Sequence, residues 1–344
     1  MSSGIIQLVS IGAQDEYIMG TPEISFFNST FKRHSNFSQS VEKQTIHGAV
    51  KSNSLSTVRF ERSGDLLGYT FIAIDDMTKS IDIDDWTEII ESVELLIGGH
   101  VVDTQDSFFS ENIAIDTLAQ NVSRSSNGAH PGTSARSFFY PLRFFFCENP
   151  QSALPLVSLQ NHDVEIRIRW KNTNPSYNFE IYSNYYYLDN EERAAFTSKP
   201  RDILIYQVQK NIPSMETTQE LNFNNQVKYL ASSNTSSSSA LTSVSNRIKI
   251  SINGVDLSPY KWCKTHFVDV PHYYHTNFVT SPDIFLFPFF ITTSLLQPSG
   301  SLNFSRIENS KIQSETLPFT DDIYAVNYNI LRVENGMAGL RYAN

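Results

Sequence analysis

An all-β chain assembled as antiparallel sandwich layers is what this sequence predicts, and three observations predict it. The first is alternation. In Val164–Trp170 (VEIRIRW) the apolar Val164, Ile166, Ile168 and Trp170 point one way and Glu165, Arg167 and Arg169 the other, the two-residue period of a strand with one wet face. Residues 247–253 (RIKISIN) repeat it with Ile248, Ile250 and Ile252, and ILIYQVQ, SVELLIGG and STVRFER read alike, rich in β-branched and aromatic residues. The second is punctuation: ENPQS, KNTNPS, SPY and QPSG place turn residues between these runs. The third is how little helix is legible. Asp189 with Glu192 three residues on makes a capping-box pattern in LDNEERAAF, and residues 111–121 supply a second short candidate. The C-terminal NYNILRVENGMAGLRYAN is ambiguous, since Gly336 and Gly339 oppose a continuous helix.

The chain also repeats itself. ELLIGGHVVD (94–103) and KISINGVDLS (249–258) each read as a strand, a glycine turn and a short apolar return, with Gly99 and Gly254 155 residues apart. YPLRFFFCENPQSALPLVSLQNHDVEI matches FLFPFFITTSLLQPSGSLNFSRIENSKI as a Phe-rich strand, a turn with proline and another strand; aligning Pro155 with Pro298 sets an offset of 143. The difference points to a longer connection in the first half, at the polar loop 121–136. Two β domains of similar topology follow, each large enough for eight strands, with the boundary at residues 189–202, where strand character stops and charge rises. Phe144, Phe145 and Phe146, like the run from Phe285 to Phe290, read as strands buried on both faces.

Composition narrows the function. In 344 residues, 26 Lys+Arg against 36 Asp+Glu leave a net charge of −10, which speaks against direct nucleic-acid binding. Two cysteines, Cys147 and Cys263, cannot build a disulfide scaffold or a Cys-rich zinc module. A signal peptide is not expected, because no Lys or Arg precedes Lys32. The uncharged stretch 284–305 is interrupted by Pro288, Pro298 and Gly300, so a soluble chain is expected.

Longer strings carry a family likeness. QLVSIGAQDEYIMGTPEISFFNSTFKRHSNF, ELLIGGHVVD, ALPLVSLQNHDVEIRI, YYYLDNEERAAF, QPSGSLNFSRIEN and DDIYAVNYNILRVENGMAGLRY resemble, in order, the major capsid proteins of the nucleocytoplasmic large DNA viruses, over residues 7–342. The resemblance implies two tandem eight-stranded jelly rolls (a double jelly roll) with short connector helices. The expected layout is an N-terminal arm over 1–22, a first roll over 23–188, a connector over 189–202 and a second roll over 203–344. It further implies a late structural protein of the virion, assembled in the host cell cytoplasm, whose homotrimers with a pseudo-hexagonal footprint tile an icosahedral capsid. Its partners would be itself, neighbouring capsomers, minor capsid proteins and an inner viral membrane at the base. The alternatives are a minor capsid or vertex protein, and a carbohydrate-binding or glycan-cleaving double jelly roll.

Candidate chemistry is thin. His272 and His275 lack a nearby set of further ligands, and a loop with aromatic packing is expected there. Asp75, Asp76, Asp82, Asp84 and Asp85 lack the ligand spacing of a calcium loop. No nucleophile motif, P-loop or dinucleotide fingerprint occurs, so the expectation is no enzyme, no catalytic residue, no metal and no cofactor. Among the N-x-[ST] sequons, Asn121 and Asn234 are the candidates for glycosylation, as residues of exposed loops. The Ser-rich run 232–246 is expected to be a flexible exposed loop, and Lys32, Arg33 and His34 form a small basic spot.

Overall fold

The alternating runs pair into four antiparallel sheets. The computed structural model describes residues 3–74, 85–118, 120, 139–173, 177–234, 239–276, 283–293 and 297–342, in two units, Met1–Asn36 and Phe37–Asn344. The larger unit opens with β1 (Phe37–Gln44), β2 (Ile46–His47), β3 (Leu55–Arg59), β4 (Leu66–Ile74) and β5 (Ile90–Ile97). It continues with β6 (His100–Asp106), β7 (Phe139–Pro141), β8 (Leu154–Pro155), β9 (Val164–Trp170) and β10 (Phe179–Leu188). A second series follows: β11 (Arg201–Asn211), β12 (Thr218–Glu220), β13 (Gln226–Ser233), β14 (Arg247–Ile252), β15 (Val255–Asp256) and β16 (Lys261–Trp262). It ends with β17 (Ile284–Pro288), β18 (Leu302–Asn303), β19 (Ser310–Ser314), β20 (Ile323–Glu334) and β21 (Met337–Leu340).

The sheet orders show the duplication. In the first series β1-β10-β4-β7, with β8 on β4, faces β2-β3-β9-β5-β6; in the second, β11-β20-β13-β17, with β18 on β13, faces β12-β19-β14-β15. Each pair of sheets closes over its own core. Val58, Val93, Leu95, Ile166, Ile168 and Trp170 meet Leu67, Ile72, Ile181 and Tyr185 in the first; Ile248, Ile250 and Ile312 meet Leu230, Phe285 and Ala325 in the second. These are two jelly rolls in tandem, a sandwich topology that interleaves sheet order and chain order.

The repeat read from Gly99 and Gly254 falls on one kind of turn. Gly98–Gly99 joins β5 to β6 with φ of 59° and 81°, and Asn253–Gly254 joins β14 to β15 with 49° and 80°. Two positive φ values in a two-residue loop give the turn whose twist matches the paired strands. Asn335–Gly336 (53° and 79°) repeats it between β20 and β21, which resolves the ambiguous C-terminus as a hairpin. The second landmark is shifted. Pro155 lies in β8, whose counterpart β18 ends at Asn303, five residues beyond Pro298; the elements correspond although the prolines do not.

Three local expectations are corrected. Phe145 and Phe146 start a helical turn, Phe145–Glu148, and do not form a strand. All three phenylalanines are nevertheless buried, because the turn is wedged against β4 and β11. The Ser-rich run is mostly buried where it is described, with Val244 and Ser245 its exposed part: Ser232 and Ser233 end β13, Ala240 and Leu241 enter the second core, and Asn246 donates to the Ala240 carbonyl and to Ser314 Oγ. Two apolar residues among hydroxyls thus outweigh the low complexity, while 235–238 lie outside the described residues. Asp189 caps the helix Asn190–Ser198, accepting from the Asn190 N–H at 2.7 Å, but Glu192 makes no return bond and its Oε2 is enclosed without a partner.

The two glycine turns differ in their surroundings. A Cβ on Gly98 would come within 2.5 Å of His162 Nδ1, whereas one on Gly254 meets nothing within 4 Å. Gly254→Ala is expected to lose only the left-handed backbone term, about 1–2 kcal/mol. Gly98→Ala should lose clearly more in the same urea titration; equal losses would show that the ring beside Gly98 moves aside freely.

Candidate assembly surfaces

The larger unit is held together by a seam between its two rolls. After β6 the chain makes a π-helical turn, Phe109–Ile113, running into Ala114–Thr117; this is the helix expected over 111–121, begun earlier and ended sooner. Phe109, Ile113, Ala114 and Leu118 pack on the outer face of the second roll, on Tyr229, Ala231, Leu286, Tyr324 and Val326. The Phe109 and Tyr324 rings lie 5.5 Å apart. At the other end of the seam Leu331, Val333 and Ala338 enter the first core, and the Asn161 N–H donates to the Gly336 carbonyl at 2.8 Å.

Polar groups fasten the middle of the seam. Asp103 on β6 accepts from the Val208 N–H at 2.9 Å and from Gln105 Nε2 at 2.7 Å. Gln207 Nε2 donates to the Val102 carbonyl. Asp106 takes Lys210 Nζ at 2.9 Å and the Tyr324 hydroxyl at 2.7 Å. Arg143 and Glu148, both buried, form an ion pair at 3.3 Å. Lys228 is also buried: its ammonium donates to the Thr293 carbonyl and stands over the Phe290 and Tyr328 rings. Burial lowers its pKa to about 8. Burial likewise pushes the Asp103 carboxyl up to about 7, against the lowering effect of its hydrogen bonds.

The unit Met1–Asn36 is built differently. Its helices Ser3–Val9 and Glu16–Met19 are short, and its large apolar residues lie open, Tyr17, Ile18, Phe26, Phe27 and Phe31 each more than four-fifths exposed.

The candidate chemistry does not converge. His272 is buried in the helix Val270–His275, where a loop was expected, with Nδ1 on the Val268 carbonyl; His275 Nδ1 meets the Ile291 carbonyl. No group of three metal-ligating side chains occurs among the described residues. Asp85 caps a turn through Thr87; Asp75, Asp76, Asp82 and Asp84 lie outside the described residues. Asn234 is half-buried after the end of β13, and Asn121 lies outside the described residues. Cys147 and Cys263 are buried free thiols, each pushed up to about 12 by burial, which keeps them unreactive. No helix among the described residues is long and apolar enough to cross a membrane. Sequence reasoning missed the seam residues Asp103, Gln105, Gln207 and Lys228. The only signal was polar residues at inward positions of strands, as in Gln207 of ILIYQVQ.

The Asp103 carboxyl makes seam stability depend on pH. An unfolded Asp gives up its proton near 3.8 and the folded one near 7. Between these values the folded chain binds more protons, so the contribution of Asp103 to stability falls as pH rises, fully present below about 4 and lost above about 7. Asp103→Asn, which keeps an acceptor for the Val208 N–H, is expected to flatten this decline in urea titrations across that range; identical slopes in both chains would place the ionisation elsewhere.

Comparison with known proteins agrees with the topology. The family described as "Major capsid protein N-terminus" matches residues 25–189. The major capsid protein of Pyramimonas orientalis virus is 31% identical with both chains fully covered, and that of Paramecium bursaria Chlorella virus 1 is 28% identical, again over both full chains. A chain of the PBCV-1 virus capsid superposes with a TM-score of 0.76 at 25% identity, covering 93% of this chain and 100% of that one. The Faustovirus major capsid protein shares the fold, with a TM-score of 0.64 at 12% identity. With its two jelly rolls, its seam and a relative alike from end to end, this chain belongs to the double jelly-roll major capsid proteins of the large DNA viruses.

Proposed function

We propose that the chain acts by self-association, as a homotrimer with a pseudo-hexagonal outline that tiles an icosahedral shell. The observation that carries this reading is the duplicated sheet order. Two like rolls side by side give three copies six like blocks, and a ring of such blocks uses head-to-tail contacts that close. The likeness to capsid proteins over the full chain supports the same role. No catalytic activity is part of the proposal. Among the described residues the one carboxyl raised to about 7, Asp103, is 4% exposed inside the seam, where a substrate has no access, and this speaks against the glycan-cleaving alternative.

The exposed apolar arm over residues 1–22 is proposed to pack on a neighbour or to face minor capsid proteins and an inner membrane at the base of the shell, after assembly in the host cytoplasm. Asn121 and Asn234 stay the candidates for glycan attachment, readable as added mass on the intact chain taken from virions.

Light scattering of the purified chain is expected to report about three times 39.0 kDa, and negative-stain images should show hexagonal plates or rings; a stable monomer that binds sugar would favour the lectin reading. Removing residues 1–22 is expected to weaken array formation while the unfolding midpoint of the remaining chain stays unchanged. Arrays as stable as those of the full chain would take the arm out of assembly.

A further inference from the structure

One half of the seam occurs a second time without its cover. Strand register aligns the two rolls residue by residue. Lys43 of β1 lies opposite Tyr182 and pairs with Glu180, as Lys210 of β11 lies opposite Tyr324 and pairs with Asp322. Tyr182 is in turn opposite Phe71, as Tyr324 is opposite Ala231. On this register Tyr69 corresponds to Tyr229 and Val41 to Val208. The second roll buries Tyr229 and Tyr324, at 0% and 1% exposure, whereas their counterparts Tyr69 and Tyr182 are 40% exposed and half-buried; Val41 is 46% exposed where Val208 is half-buried. The open face is already ordered, with Tyr69 on Phe71 at 6.4 Å and Phe71 on Tyr182 at 5.6 Å between ring centres.

The other half of the seam is also duplicated. The π-helical turn Lys264–Asp269 running into Val270–His275 stands between β16 and β17, as 109–117 stands between β6 and β7. Lys264 follows Phe109 by the same 155 residues that separate Gly254 from Gly99. Among the described residues nothing packs on the outer side of this second helix: Tyr273 is 79% exposed and Tyr274 71%. Where Phe109 meets Tyr324 inside the chain, the repeated contact would bring Lys264, which pairs with Asp283 and Asp269 in its own chain, to Tyr182 and the Lys43–Glu180 pair, so that charged groups of both signs meet where the internal seam has a ring pair.

We propose that the helical segment 264–275 of one copy docks on the β1-β10-β4 face of a second copy, on Tyr69, Phe71, Tyr182 and the Lys43–Glu180 pair, repeating the internal seam between subunits. The inference rests on the trimer reading and adds to it which surfaces meet. The contact is heterologous, so each copy gives a helix on one side and receives one on the other, and three such steps alternate with three internal seams around a ring. Tyrosines at its centre suit an interface, where aromatic side chains carry much of the binding.

Two measurements test it on the full-length chain. Chains carrying Tyr182→Cys and chains carrying Lys264→Cys, mixed and oxidised, are expected to yield a disulfide-linked dimer that neither forms alone. Tyr273→Ser with Tyr274→Ser is expected to raise the concentration at which trimers half-dissociate at least about ten-fold, with little change in the thermal midpoint of the isolated chain, since both side chains are exposed. A trimer that persists in the double variant and gives no mixed disulfide overturns this contact while leaving the trimer in place. A wild-type chain that stays monomeric at every concentration overturns both.

Discussion

The packing of the 109–117 helix on the outer face of the second roll is the interaction on which the rest of the molecule depends. A jelly roll buries the inner faces of two sheets and has no intrinsic need for a neighbour. Here the outer face of β20-β13-β17 carries an apolar patch of its own, with Tyr229, Ala231, Leu286 and Val326 sealed by a helix from the other roll. That contact makes two sandwiches into one unit and sets the spacing at which any further roll could be added.

Apolar packing alone would let the rolls slide. The buried polar groups at the seam define a register, because each donor and acceptor has its partner at one position only. Asp103 with the Val208 N–H, Gln207 with the Val102 carbonyl, and Asp106 with both Lys210 and Tyr324 tie β6 to β11 and β20. Burying such groups costs desolvation, visible in the raised Asp103 and the lowered Lys228. The return is specificity of alignment more than net stability. A subunit that must present the same outline to every neighbour benefits from a seam with one setting.

Exposure follows the same logic. A self-contained protein hides apolar surface; this one leaves open a tyrosine-lined sheet face, a tyrosine-tipped helix and an apolar arm. The first two correspond, by strand register for the sheet face and by place in the chain for the helix, to the two halves of a contact that the chain makes within itself. The Lys43–Glu180 and Lys210–Asp322 pairs occupy matching places on the two sheets, so the duplication extends beyond topology to the chemistry of the face.

How much of this was readable beforehand depends on the range of the interaction involved. Strand alternation and glycine turns are local, and VEIRIRW, RIKISIN and the Gly99 and Gly254 hairpins could be placed from neighbouring residues alone. The duplication was legible because equal turns recur in equal order. Phe144–Phe146 was misjudged, since a run of three apolar residues fits a doubly buried strand and a wedged helical turn equally well. The Ser-rich run was misjudged because Ala240 and Leu241 reach a core whose other members lie far along the chain. Sequence alone determined the fold class, the doubling and the absence of recognisable catalytic motifs. The tertiary structure alone decided that Asp103, Gln207 and Lys228 lie in a seam and that Tyr69 and Tyr273 remain open, because burial at those positions is set by segments far along the chain or by no described part of it.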